Sequence, residues 1–145
     1  MTSGITAKGD YVAQLVLVAD DDPSLRSLYN DYLSMRGYNT IVTRNGEEAI
    51  QKYHEHEAEI VLVLTDLRMP KMDGFMLASY LATQNPALPV VAVSAYIDIQ
   101  EHQERFQGQF SAKLRKPFHL EELGEILDRF PEKPEPHMSS ESLGN

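Results

Sequence analysis

Apolar positions along the chain fall into two kinds of pattern: short unbroken runs and longer stretches with helical spacing. Leu15-Val16-Leu17-Val18-Ala19, Ile60 to Thr65 and Val90-Val91-Ala92-Val93-Ser94 are unbroken runs bounded by turn-forming residues. Such runs predict strands buried on both faces. Tyr38 to Thr43 alternates weakly and Ser111 to Arg115 is partly charged, so both predict strands nearer a sheet edge. Between the strands, Leu25, Leu28, Tyr29, Tyr32 and Met35 recur with helical spacing until Gly37, behind an Asp22-Pro23 start suited to N-cap and first helical position. Asn45 with Glu48 resembles a capping box for a second helix, running to about Glu57 with Ala49, Ile50 and Tyr53 inward. Asp73-Gly74 opens a third, with Leu77, Ala78 and Leu81 inward. A more polar fourth helix is predicted from about Asp98 to Gln107. A last one carries Leu120, Leu123, Leu127 and Phe130.

Five strands alternating with five helices predict an α/β fold: a five-stranded parallel sheet covered on both faces, doubly wound, in the flavodoxin-like strand order 2-1-3-4-5. Residues 1–13 read as a flexible polar leader, 14–130 as one domain, and the Pro-, Glu- and Ser-rich 131–145 as a disordered tail. The 145 residues suffice for one domain with a sizeable core, but not for two.

Charge and composition narrow the function classes. A net charge of −9 argues against a non-specific nucleic-acid surface and against binding to anionic membranes. The absence of cysteine removes disulfides, thiolate metal sites and thiol nucleophiles, and is compatible with a reducing cytoplasm. No stretch approaches the roughly 20 apolar residues of a membrane span, and residues 1–10 lack the apolar core of a secretion signal. A cytoplasmic protein is expected.

The candidate chemistry lies where the apolar runs stop. In a parallel sheet all carboxyl ends of strands point one way. Asp20 and Asp21 after the first strand, Asp66 after the third, Ser94 at the end of the fourth and Lys116 after the fifth should therefore share one crevice. Taken alone, Asp66 is explained equally well as a turn residue. Three crowded carboxylates ionise together more easily when a cation joins them, and such oxygen donors suit Mg²⁺. A carboxylate can also be a nucleophile, and a hydroxyl with a fixed ammonium answers the oxygens of a transferring phosphoryl group. The acidic, glycine-free loop after the first strand cannot cradle phosphates as a P-loop or GxGxxG turn does.

With VLVADDDPSLR, VLTDLRMPKMDG, VVAVSAY and RKPF in this order and spacing, the sequence resembles the response-regulator receiver domains of two-component signalling, over roughly residues 14 to 130. The resemblance implies that Asp66 is the phosphoacceptor, taking a phosphoryl group from a phosphohistidine of a histidine kinase or a histidine phosphotransfer protein. It implies that Asp20, Asp21, Asp66 and the backbone carbonyl of Arg68 hold Mg²⁺, with Asp22 a helix cap. It makes Ser94 the switch hydroxyl and Lys116 the phosphoryl-pairing lysine, followed by Pro117 at a peptide bond the family usually keeps cis. Lys113 departs from the pattern: three residues before the lysine, receivers usually carry Tyr or Phe, and here neither Phe110 nor Tyr96 is in that register.

A phosphoacceptor switch rather than an enzyme is therefore expected, acting through contacts with a downstream protein. The alternatives are an interaction module whose pocket is uncoupled from output, motivated by Lys113, or a receiver fragment of a hybrid kinase. A phosphohydrolase would need a general acid or base beside Asp66, and Arg68 cannot lose its proton. No output domain is legible, so direct DNA binding is not expected. His54 and His56, two apart on a helix, read as solvated surface rather than a metal site; His102 and His119 read as packing or capping residues, and His137 lies in the tail.

Overall fold

A computed structural model describes residues 14–95 and 109–130. Five strands, β1 (Leu15–Ala19), β2 (Asn39–Thr43), β3 (Ile60–Asp66), β4 (Val90–Ala95) and β5 (Ala112–Lys116), form one sheet in the order β2-β1-β3-β4-β5. All four pairings are parallel. Among the described residues four helices flank it: α1 (Pro23–Met35), α2 (Gly46–Glu55), α3 (Gly74–Gln84) and α4 (Leu120–Arg129). Four rather than the five expected are thus seen, because the helix predicted at 98–107 lies outside the described residues, as do the predicted leader and tail.

The sheet separates two cores because side chains alternate across a strand. Val16, Val18, Leu62, Leu64, Val91 and Val93 project toward α1 and α4, meeting Tyr29, Leu33, Leu123, Ile126 and Leu127. Leu15, Leu17, Ala19, Val63 and Val90 project the other way, onto Ala49 and Tyr53 of α2 and Leu77, Ala78 and Leu81 of α3. The three central strands are buried almost throughout, whereas β2 and β5 are exposed in part.

Each helix start is fixed locally. Asp22 caps α1 by accepting from the Ser24 amide at 2.9 Å, and Pro23 follows at the first helical position. Asn45 accepts from Glu48 N at 2.8 Å and Asp73 from Met76 N at 2.9 Å. His119 stands at the N-cap of α4, its amide donating to Glu122 Oε1 at 2.8 Å. Gly37, at φ +93°, closes α1 in a conformation that costs glycine little.

Two helix faces differ from the periodicity reading. On α1, Leu33 is wholly buried while Met35 is 72% exposed. The stripe through Leu25, Tyr29 and Leu33 is the one that meets the sheet, and Met35 lies off it by half a helical turn. On α4, Ile126 is buried and Leu120, in the first turn, is 40% exposed.

Candidate functional site

Strand register assembles the site. Ala19 of β1 pairs with Thr65 of β3, so the next residues, Asp20 and Asp66, leave adjacent strand ends side by side. Asp66 pairs with Val93, which places Ser94 one residue further along the neighbouring strand, and Ala95 pairs with Lys116. The crevice at the carboxyl ends therefore gathers Asp20, Asp21, Asp66, Ser94 and Lys116, as the sequence predicted. Asp20, Asp66 and Ser94 are buried, whereas Asp21 is exposed at the rim.

Lys116 is the hub. Its Nζ donates to Asp66 Oδ2 at 2.8 Å and to Asp20 Oδ2 at 3.1 Å. The second oxygen of each carboxylate is held by backbone: Asp66 Oδ1 accepts from Leu67 N at 2.7 Å and more distantly from Arg68 N at 3.3 Å, and Asp20 Oδ1 accepts from Asp22 N at 2.9 Å. The Lys116–Pro117 peptide bond is cis.

Burial pushes the Asp20 carboxyl above its ordinary range, against the Asp22 amide and Lys116. Burial also acts against the Lys116 ammonium, but its bonds and charge attraction to Asp66 and Asp20 outweigh it and leave its pKa raised. Tyr29, under the site and stacked on Phe118 at 6.1 Å, has its phenol pushed up by burial and by the charges of Asp20, Asp66 and Asp22.

One ammonium thus serves two buried carboxylates, with a third at the rim. Oxygens of Asp20, Asp21 and Asp66 lie within 4.8 Å of one another. Hard carboxylate oxygens this close, one of them on the solvent side, fit Mg²⁺, which takes one or two carboxylates and keeps several waters.

The loop after Asp66 is shaped from behind. The Gly74 amide donates to Leu67 O at 3.0 Å, and the Gly46 amide to Met72 O at 3.2 Å. A Cβ on Gly74 would overlap the Asp66 carbonyl oxygen, and one on Gly46 would lie 2.7 Å from Met72 O. Both glycines are required by close approach. Lys71 takes a positive φ of 71° within this turn.

Arg26 escaped the sequence reading: its guanidinium donates to Asp20 O at 3.0 Å, steadying the loop that carries both acidic residues. Its signal was its place one turn into α1, facing back over the helix start. Asp22 is a cap, as read. Lys113 is exposed on β5, opposite Ala92. Phe110, outside the expected aromatic register, meets Phe75 of α3 edge to face at 5.7 Å.

A family model for the response regulator receiver domain matches residues 16–128. The chain belongs to the receiver-domain family of two-component systems. It is 29% identical over 115 residues to the regulatory protein AtoC of Escherichia coli, covering 79% of this chain and 24% of that protein. It is 32% identical over 119 residues to the sensor histidine kinase RcsC of Salmonella typhi, covering 82% of this chain and 12% of RcsC. The chain thus spans about a quarter or less of the length of these curated relatives. Among solved structures, the chemotaxis protein CheY4 of Vibrio cholerae aligns with a TM-score of 0.73 at 26% identity, over 82% of this chain and 99% of that one. The response regulator TrrA of Thermotoga maritima, solved in complex with Mg²⁺-BeF, gives 0.72 at 26% identity, over 80% and 97%. Among the described residues no helix is long and apolar enough to cross a membrane.

Proposed function

We propose that this chain is a phosphoacceptor switch in which Asp66 receives a phosphoryl group from the phosphohistidine of a histidine kinase or phosphotransfer protein. The observation that carries the reading is the position of Lys116 Nζ, 2.8 Å from Asp66 and 3.1 Å from Asp20 at the mouth of the crevice. Asp66 Oδ2 is the nucleophile: it forms the bond to phosphorus as the donor's P–N bond breaks. Lys116, already directed at that oxygen, pairs with the phosphoryl oxygens. Ser94, one strand over, supplies the hydroxyl that contacts them. The amides of Leu67 and Arg68 hold Asp66 Oδ1 and so fix the direction of attack. Asp20, Asp21, Asp66 and the Arg68 carbonyl would hold Mg²⁺, which when bound neutralises charge building on the transferring group.

The chain is not an enzyme on this reading. Asp66 is consumed in each transfer and restored by slow hydrolysis, and the two states differ in affinity for a downstream protein. The likeness to part of RcsC also fits a receiver that works within a hybrid kinase.

The test is intact mass after incubation with acetyl phosphate and Mg²⁺, on wild type and Asp66→Asn. One added phosphoryl group in wild type alone is expected; an unchanged wild-type mass refutes the reading. Lys113, exposed where receivers usually hold an aromatic ring, favours a second reading in which the site is phosphorylated without altering the surface. NMR shifts confined to the crevice when beryllofluoride and Mg²⁺ are added would select that second reading.

A further inference from the structure

Away from the strand ends, α2 and α3 are joined by a relay that the phosphoacceptor chemistry does not use. His54 Nδ1 lies 3.0 Å from Glu57 Oε2, and His54 Nε2 lies 2.6 Å from the Tyr80 hydroxyl. An ionised carboxylate only accepts, so the contact to Glu57 places the imidazole proton on Nδ1. In the neutral ring Nε2 is then an acceptor, and the Tyr80 O–H donates to it. The proton order is fixed as Tyr80 to His54 to Glu57. The ring is also held in orientation: Tyr53 meets it edge to face at 5.3 Å and Tyr80 at 5.8 Å. A nucleophile bonded to a base that a third group orients is the arrangement that activates hydroxyls in acyl transfer.

We propose that Tyr80 is a second nucleophilic site, a phenol activated by His54 that takes an acyl group from small activated acyl donors. The Tyr80 oxygen forms the bond to the acyl carbon, the bond from that carbon to its leaving group breaks, and the phenolic proton passes to His54 Nε2. The acylated oxygen has no proton to donate, so the modification removes the hydrogen bond that joins α2 to α3. The other four described tyrosine hydroxyls have no such base; that of Tyr32 instead accepts from Arg36 at 3.0 Å.

The groups that face the imidazole are Glu57 and Tyr53 on its own side and Tyr80 from α3. Lys52 and Glu55, on the same helix, are turned to each other at 3.3 Å. Protonation of His54 reverses the bond to Tyr80, which then accepts: the link between helices persists while the base is lost. Reactivity should therefore rise less steeply with pH than that of an ordinary phenol, which gains about tenfold per pH unit toward pH 10.

The full chain is treated with N-acetylimidazole between pH 6 and pH 9, and the acetylation rate of Tyr80 is read by peptide mass mapping. Following one residue across pH removes its accessibility from the comparison. The expected result is a shallower rise in wild type than in His54→Gln, with a rate at pH 7.5 about tenfold above that of the variant. In that variant the profile should revert to the steady rise of a free phenol, and Glu57→Ala should lose part of the same rate. A wild-type profile with the slope of His54→Gln, or no acetylation of Tyr80, overturns the proposal.

Discussion

Gly74→Ala tests whether the turn after Asp66 is held by backbone contact. The added methyl would overlap the Asp66 carbonyl oxygen and lie 2.9 Å from Leu67 Cα and 3.0 Å from Asp66 C. All three are backbone atoms of the end of β3, which cannot swing aside as a side chain would. Overpacking of this kind costs about 1–3 kcal/mol. Displacement also strains the Gly74 N–H bond to Leu67 O, about 1 kcal/mol more. Replacing glycine in the first turn of a helix returns at most about 1 kcal/mol. The net destabilisation is about 1–3 kcal/mol, which at an m-value of about 2 kcal/mol/M lowers the urea midpoint by about 0.5–1.5 M. Gly124→Ala is the control. Its methyl would meet only Arg36 Nη1 at 2.7 Å and the Tyr32 hydroxyl at 2.8 Å, far ends of movable side chains. It should cost less than half as much. Equilibrium urea unfolding with unchanged slope measures both; equal midpoints for the two variants would refute the reasoning.

Two further outcomes follow from the charges. Lys116→Met leaves Asp20 and Asp66 without their shared ammonium, and should lower stability in EDTA by about 2 kcal/mol, less than the roughly 3–5 kcal/mol of a fully buried broken pair because the site opens to solvent. Mg²⁺ should raise the midpoint of this variant more than that of wild type, since a competing cation has been removed; equal shifts would show that Lys116 and the ion do not share the carboxylates. Glu48 has its carboxyl held below the usual value of 4.5, first by accepting from the Arg44 amide at 2.7 Å and against a small burial penalty. A lowered folded value means its stabilisation is present above pH 4.5 and is lost as pH falls through the lowered value. Wild type should exceed Glu48→Gln by about 0.5 kcal/mol at pH 6 and converge with it as pH falls through the lowered value, read by urea unfolding at each pH; a gap that does not narrow as the pH is lowered would refute the charge contribution.

The elements and their order were legible because burial leaves a local trace. Val16 to Val18, Ile60 to Leu64 and Val90 to Val93 are apolar without interruption, since a strand covered on both faces has no solvent side to mark with polar residues. The caps Asp22, Asn45 and Asp73 were equally legible, being fixed by contacts within three residues. The site could be assembled from the sequence by one inference, that parallel strands point their carboxyl ends the same way. That needs only connectivity.

Contacts across the fold were another matter. Periodicity placed Met35 with the core and passed over Leu33, because spacing defines a stripe but the sheet chooses which edge of it to cover. That Lys116 reaches Asp66 and Asp20 at once depends on the register of β5 against β4 and β3, across a separation of 96 residues for the longer pair. His54 read as plain surface, and on α2 alone it is. It became the middle of a relay only because α3 sets Tyr80 against it, 26 residues further along the chain. Local composition and periodicity therefore determined the strands, the caps and the acidic crevice. The packing of helix on helix and strand on strand decided which side chains within reach of one another form hydrogen bonds, because those contacts depend on positions brought together only by the fold.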